Sequence, residues 1–167
     1  MQKLLKAIEN DSLAEIKKLL SNGCYDLNSK IDITEIYSLD EEDELPLIFY
    51  LIQSGISLEA LELLVNAGLD ITYTSKEGLS ALDYAIKHRR KDIVELCRKY
   101  GLSLVKSSRK SGLTPLMLAA SFNDVEMMKF LIANGADVNE KDKYGMSAKD
   151  YAKRLGQGRA EKYLNTL

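Results

Sequence analysis

The chain of 167 residues contains no tryptophan, one histidine, two cysteines and two prolines, and each scarcity closes a class of function. The single histidine, His88, stands in the run Lys87-His88-Arg89-Arg90-Lys91. Neighbouring cations there lower its proton affinity and repel a metal ion, so it reads as a solvated residue between two helices. Cys24 and Cys97 form no C-x-x-C pair, and their separation argues against a disulfide, as in a reducing compartment. No Ser/His/Asp order and no phosphate-binding glycine loop is present. No enzyme activity, metal or cofactor is therefore expected. No apolar run is long enough for a membrane span and no basic-plus-apolar leader opens the chain, which points to a cytoplasmic protein or to export without a cleaved signal.

What the chain does have is repetition. Gly78-Leu79-Ser80-Ala81-Leu82-Asp83-Tyr84-Ala85 returns as Gly112-Leu113-Thr114-Pro115-Leu116-Met117-Leu118-Ala119 and again as Gly145-Met146-Ser147-Ala148-Lys149-Asp150-Tyr151-Ala152, at steps of 34 and 33 residues. A period of this length means one supersecondary unit stacked on copies of itself, because a single unit cannot bury its own apolar face. Apolar residues recur at helical spacing in Leu13, Ile16, Leu19 and Leu20, in Leu58, Leu61, Leu64 and Val65, in Ile93, Val94, Leu96 and Cys97, and in Val125, Met128, Leu131 and Ile132. These are core positions, and Met117, Met127 and Met128 read as gap-filling side chains. Pro46 and Pro115 occupy one repeat position, expected to be the first residue of a helix, where a missing N–H costs nothing. Ser80, Thr114 and Ser147 precede that position as expected N-caps. Gly23, Gly68, Gly101 and Gly135 are expected as left-handed residues ending second helices. Asp83 and Asp150, three residues after their caps, are expected to bond backbone or serine hydroxyl groups.

The block resembles the G-x-T-P-L-H-x-A signature of ankyrin repeats, and Phe130-Leu131-Ile132-Ala133-Asn134-Gly135-Ala136-Asp137-Val138-Asn139 resembles the family's L-L-x-x-G-A-D-V-N. The resemblance implies an all-α solenoid of about five helix-turn-helix units with β-hairpin or loop connections. It would form a single domain over 1–167, with units at about 1–29, 43–74, 75–107, 109–141 and 142–167. The first and last units have the polar character of caps, which suggests a complete protein without an attached enzymatic domain.

The departures from the period are where specificity is expected. Gly23 and Gly68 are 45 residues apart, so the first hairpin carries an insertion over about 30–44. It is apolar at Ile31, Ile33, Ile36 and Leu39 and acidic at its end. Its alternation permits a short strand at its start, while Leu39 to Glu44 reads as an irregular loop. It is either a solvated loop or an acidic finger that meets a basic patch on a partner, with Tyr37 as anchor and Asp40, Glu41, Glu42 and Asp43 as its charges. Charge is segregated along the chain: residues 1–74 hold 5 Lys/Arg and 14 Asp/Glu, net −9, and residues 75–167 hold 18 and 11, net +7. The family pattern places Lys76, Glu77, Lys110, Lys143 and Tyr144 in hairpin tips. It places Lys87, His88, Ser121, Phe122 and Arg154 near the ends of first helices, Phe122 at a position that is usually exposed. In ankyrin folds such positions line the concave surface.

These residues imply a non-enzymatic module that binds a protein partner through its concave face and the acidic finger. Three roles fit: a scaffold, an immunity protein neutralising a cognate secreted toxin, or a pathogen effector that binds a host protein. Nucleic acid is disfavoured because the net charge is −2 and aromatics are not interleaved with the basic residues. A monomer is expected, with head-to-tail self-association the alternative that the charge segregation allows.

Overall fold

A computed structural model describes residues 1–32 and 44–167. It divides into two compact units, Met1–Tyr73 and Thr74–Leu167. In unit 1 the elements are α1 (Gln2–Glu9), α2 (Leu13–Asn22), β1 (Lys30–Asp32), β2 (Glu44–Pro46), α3 (Leu47–Gln53) and α4 (Leu58–Asn66). Unit 2 contains α5 (Ala81–Lys87), α6 (Lys91–Lys99), α7 (Pro115–Ser121), α8 (Val125–Ala133), α9 (Ala148–Arg154) and α10 (Gly158–Leu164). The architecture is the all-α repeat of short helix pairs that the period implies. Each pair turns between its helices within a few residues, and left-handed Asp11, Gly55, Arg89, Asn123 and Gly156 mark these turns.

Within unit 2 each first helix packs on its own second helix and on the first helix of the next repeat. Small residues allow it: Ala81, Ala85, Ala119, Ala120, Ala148 and Ala152 are all buried, and axes approach closely where the contacting side chains are small. The second-helix stripes predicted from sequence are buried at Ile16, Leu61, Leu64, Ile93, Val94, Leu96, Cys97, Met128 and Leu131, while Leu13, Leu19, Leu20, Leu58, Val65, Val125 and Ile132 are only half-buried. Met117, Met127 and Met128 lie in the core as packing residues. Cys97 is buried and Cys24 exposed, both as free thiols. Burial, aided by Asp83, pushes the Cys97 thiol up to about 12.

Helix starts follow the expected cap chemistry at three repeats. Thr114 Oγ1 accepts from Met117 N–H at 3.3 Å and Ser147 Oγ from Asp150 N–H at 3.3 Å. Asp83 Oδ2 accepts from both Ser80 N–H and its hydroxyl at 2.8 Å, and Asp150 Oδ2 accepts likewise from Ser147 at 2.8 and 2.7 Å. Both carboxylates therefore hold helix N-termini.

Three local expectations are corrected. Pro115 opens α7, but Pro46 lies one residue before α3 with ψ 134°. It ends β2, which pairs antiparallel with β1 in the register Lys30↔Pro46, Ile31↔Leu45 and Asp32↔Glu44. Leu47 N–H then donates to the Ser29 carbonyl at 3.2 Å, keeping the chain extended up to the helix. Glu44, expected in an irregular loop, belongs to that ladder, and its carboxylate meets Lys30 Nζ at 3.2 Å. Gly23 is extended, with φ −132°, whereas Gly68, Gly101 and Gly135 have positive φ. A Cβ at Gly23 would stand 2.7 Å from the Tyr25 ring, a side chain that can turn aside.

Candidate protein-interaction surface

The hairpins of unit 2 reverse at Gly78, Gly112 and Gly145, each with φ between 76° and 85°. Gly78 has a second constraint: a Cβ would stand 2.1 Å from the Ser108 carbonyl oxygen of the following hairpin. Three residues before Gly78 and Gly145, the side chains of Ser75 and Asp142 hold the turn. Ser75 Oγ accepts from Glu77 and Leu79 N–H at 3.2 and 3.1 Å. Asp142 Oδ1 accepts from Tyr144 and Met146 N–H at 2.9 Å, and its Oδ2 accepts from the Tyr151 hydroxyl at 2.7 Å. Burial opposes charge on Asp142, but these donors hold its carboxyl below the usual range. Arg109, at the middle position, reaches back to Asp83 Oδ1 at 2.8 Å, joining one hairpin to the first helix of the preceding repeat.

Successive tips are tied in register. Lys110 N–H donates to the Glu77 carbonyl at 3.2 Å, the Ser108 hydroxyl to the Gly78 carbonyl at 2.8 Å, and Lys143 N–H to the Ser111 carbonyl at 3.0 Å. The bonds bring Lys76, Glu77, Lys110, Lys143 and Tyr144 into one row. All five are exposed, Tyr144 to 76 %.

A second row lies at the ends of the first helices, where Lys87, Ser121 and Arg154 hold equivalent positions. Lys87 and Arg154 are exposed, and Arg154 Nη1 approaches Met146 Sδ at 3.5 Å beside the third hairpin. Ser121 is half-buried, its hydroxyl donating to the Met117 carbonyl at 2.8 Å. Phe122, expected to be exposed, is half-buried, and its carbonyl accepts from Arg89 Nη2 of the preceding repeat at 2.9 Å. His88 is likewise half-buried rather than solvated. Its ring stacks near Tyr84 (6.5 Å, 13°), and Nε2 is enclosed without a hydrogen-bond partner among the described residues. Burial first, and Lys87 second, lower its pKa.

Tyr37, Asp40, Glu41, Glu42 and Asp43 lie outside the described residues. Sequence reasoning did not find the ties between repeats: Arg109 to Asp83, Arg89 to Phe122, Gln157 Nε2 to the Ser121 carbonyl at 2.9 Å and Ala160 N–H to Asn123 Oδ1 at 2.9 Å. The available signal was the recurrence of polar residues at fixed repeat positions, which does not state the partner.

The family pattern described as "Ankyrin repeats (3 copies)" matches residues 4–105, and that described as "Ankyrin repeat" matches 111–143. The chain belongs to the ankyrin-repeat family. Ankyrin repeats are generic protein–protein interaction modules, in a family that is generally non-enzymatic. The chain is 33% identical over 89 residues, 53% of its length, to an L-asparaginase of Dirofilaria immitis, covering 15% of that protein. It is 37% identical over 81 residues to the ankyrin repeat and KH domain-containing protein mask-1 of Caenorhabditis elegans, 48% of this chain and 3% of that one. It is 31% identical over 88 residues to the B-cell lymphoma 3 protein homolog of Mus musculus, 53% of this chain and 20% of that one. This ankyrin chain thus spans a fifth or less of these relatives. Among the described residues no helix is long and apolar enough to cross a membrane.

Proposed function

We propose that this ankyrin-repeat chain binds one specific protein partner through the hairpin-tip row and the first-helix ends of unit 2, with the acidic segment over 32–44 as a further contact. The observation that carries the reading is the register of the hairpin tips. Backbone hydrogen bonds from Lys110 and Lys143 to the preceding hairpins hold the exposed side chains of three repeats in a fixed order. A surface held in register by the backbone is preorganised, which lowers the ordering cost of binding.

The net charge of −9 over residues 1–74 supports a partner with a basic patch facing 32–44, since complementary charge raises association rate and selectivity. An immunity role would follow if that partner were a secreted toxin with a basic cleft. The test is a native pull-down from the producing cell with wild-type protein beside E41K/E42K/D43K, followed by mass spectrometry. One stoichiometric partner lost on reversal is expected. Retention of that partner by the reversed form removes the acidic segment from the reading, and the absence of any partner removes protein binding.

A further inference from the structure

Three lysines share one repeat position in unit 2, two residues before the hairpin glycine: Lys76, Lys110 and Lys143. Each is exposed, and none forms an ion pair among the described residues. Other cations of the same unit are already engaged, with Arg90 on Asp92 at 2.6 Å, Arg109 on Asp83 at 2.8 Å and Lys129 on Glu126 at 2.8 Å. Lys76, Lys110 and Lys143 are among the cations of unit 2 outside these pairs, and they share one repeat position.

Along the tips three lysines stand against one carboxylate. Glu77 is the acidic residue of the row, and its Oε2 accepts from the Ser75 hydroxyl at 3.1 Å. Like charges held in register by backbone bonds create a positive potential along a line, which an anionic chain neutralises. Tyr144 follows Lys143 and is 76 % exposed. It offers an apolar ring with a polar tip, the kind of side chain that anchors interfaces.

We propose that the hairpin tips of unit 2 dock an extended acidic segment of a partner protein. Its carboxylates meet Lys76, Lys110 and Lys143 in succession, and an apolar or aromatic side chain packs on Tyr144. The inference rests on the protein-binding reading above and specifies the chemistry of the partner. An extended segment fits because alternate side chains of a strand project to one face, so its carboxylates form a line like that of the tips. Peptide is favoured over nucleic acid because Tyr144 is the one aromatic in the row, whereas single strands are held on several interleaved aromatics.

The test is fluorescence anisotropy of the whole chain with a labelled peptide of about twelve residues, alternating Glu and Ser around a central Tyr. Saturable binding is expected, weakening between about 10 mM and about 1 M salt as the screening length falls from ~30 Å to ~3 Å. The variant K76E/K110E/K143E should bind at least ~10-fold more weakly, and K99E/R159E/K162E, with the same net charge but reversed on second helices, within ~2-fold of wild type. Circular dichroism establishes that both variants are folded. Tyr144→Ala should weaken binding ~3-fold or more.

Equal losses in the two triple variants, or no binding of the peptide by wild type, overturn the proposal. So does a single-stranded oligonucleotide of equal charge that binds as tightly and loses as much on K76E/K110E/K143E. In the native pull-down, a partner retained by K76E/K110E/K143E sinks the tip assignment while protein binding stands, whereas no partner for wild type sinks the protein-binding reading itself.

Discussion

Asp142 illustrates how one side chain sets a hairpin. It is 7 % exposed and accepts from two backbone N–H groups and from Tyr151. Its pKa is depressed in the folded state. The stabilisation it contributes is therefore complete above the unfolded value, near ~3.9, and is lost as pH falls through the lower folded value. Asp142→Asn should destabilise the protein at pH 7 by about 1–2 kcal/mol and flatten the fall in stability below about pH 4. Thermal melts across that range check this, and an unchanged acid limb would remove Asp142 from the acid response. Tyr151 stays a donor at neutral pH, because burial and Asp142 push its hydroxyl up to about 12. The capping roles of Ser80, Thr114 and Ser147 were legible in the sequence because capping is local. The enclosure of His88 was not, because it depends on the stack with Tyr84 and on the packing around Nε2.

At the scale of the element, the short first helices depend on their neighbours more than on their own length. A seven-residue helix is unstable alone, so α5, α7 and α9 persist through packing and capping. Ala119 is fully buried on α7, where a larger side chain would force α7 away from its neighbours. Ala119→Leu should cost about 1–3 kcal/mol by overpacking, read as a lower denaturation midpoint with little change in slope; a loss near zero would show slack between the helices. The second helices add contacts along the exterior, where Lys91 lies over Phe130 at 4.8 Å and Lys129 over Tyr163 at 5.9 Å, each pair spanning adjacent repeats. Helical spacing identified these helices, but it did not identify such pairs, which depend on the offset between neighbouring repeats. The same limit explains Pro46: its repeat position was legible, while the ladder with Lys30 and the Ser29 bond to Leu47 decide that it stays extended.

For the molecule as a whole, charge divides with the two units, since Met1–Tyr73 carries net −9 and Thr74–Leu167 net +7. An acidic unit of one copy meeting the basic unit of another would form an open, heterologous contact. Sedimentation velocity is expected to report a monomer near ~0.15 M salt, where the screening length is ~8 Å, and a concentration-dependent increase at ~0.01 M, where it is ~30 Å. Equal coefficients at both salts would show that the opposite charges do not pair between copies. The candidate site was partly legible at this scale, because repeat alignment named the tip and helix-end residues. Alignment did not reveal that Phe122 and Ser121 are half-buried while Tyr144 is the exposed aromatic of the row.

The sequence by itself determined the period, the helix pairs, their capping residues and the segregation of charge, because each follows from residues close together in the chain. Only the tertiary structure decided the extended Pro46 and Gly23, the seating of His88 and Phe122, and the register that brings Lys76, Lys110 and Lys143 into one row. The extended Pro46 and the register of the tips depend on hydrogen bonds between groups far apart in sequence, such as Leu47 with Ser29 and Lys110 with Glu77. A repeat pattern specifies what each unit is made of, and the offset between stacked units specifies what those groups meet.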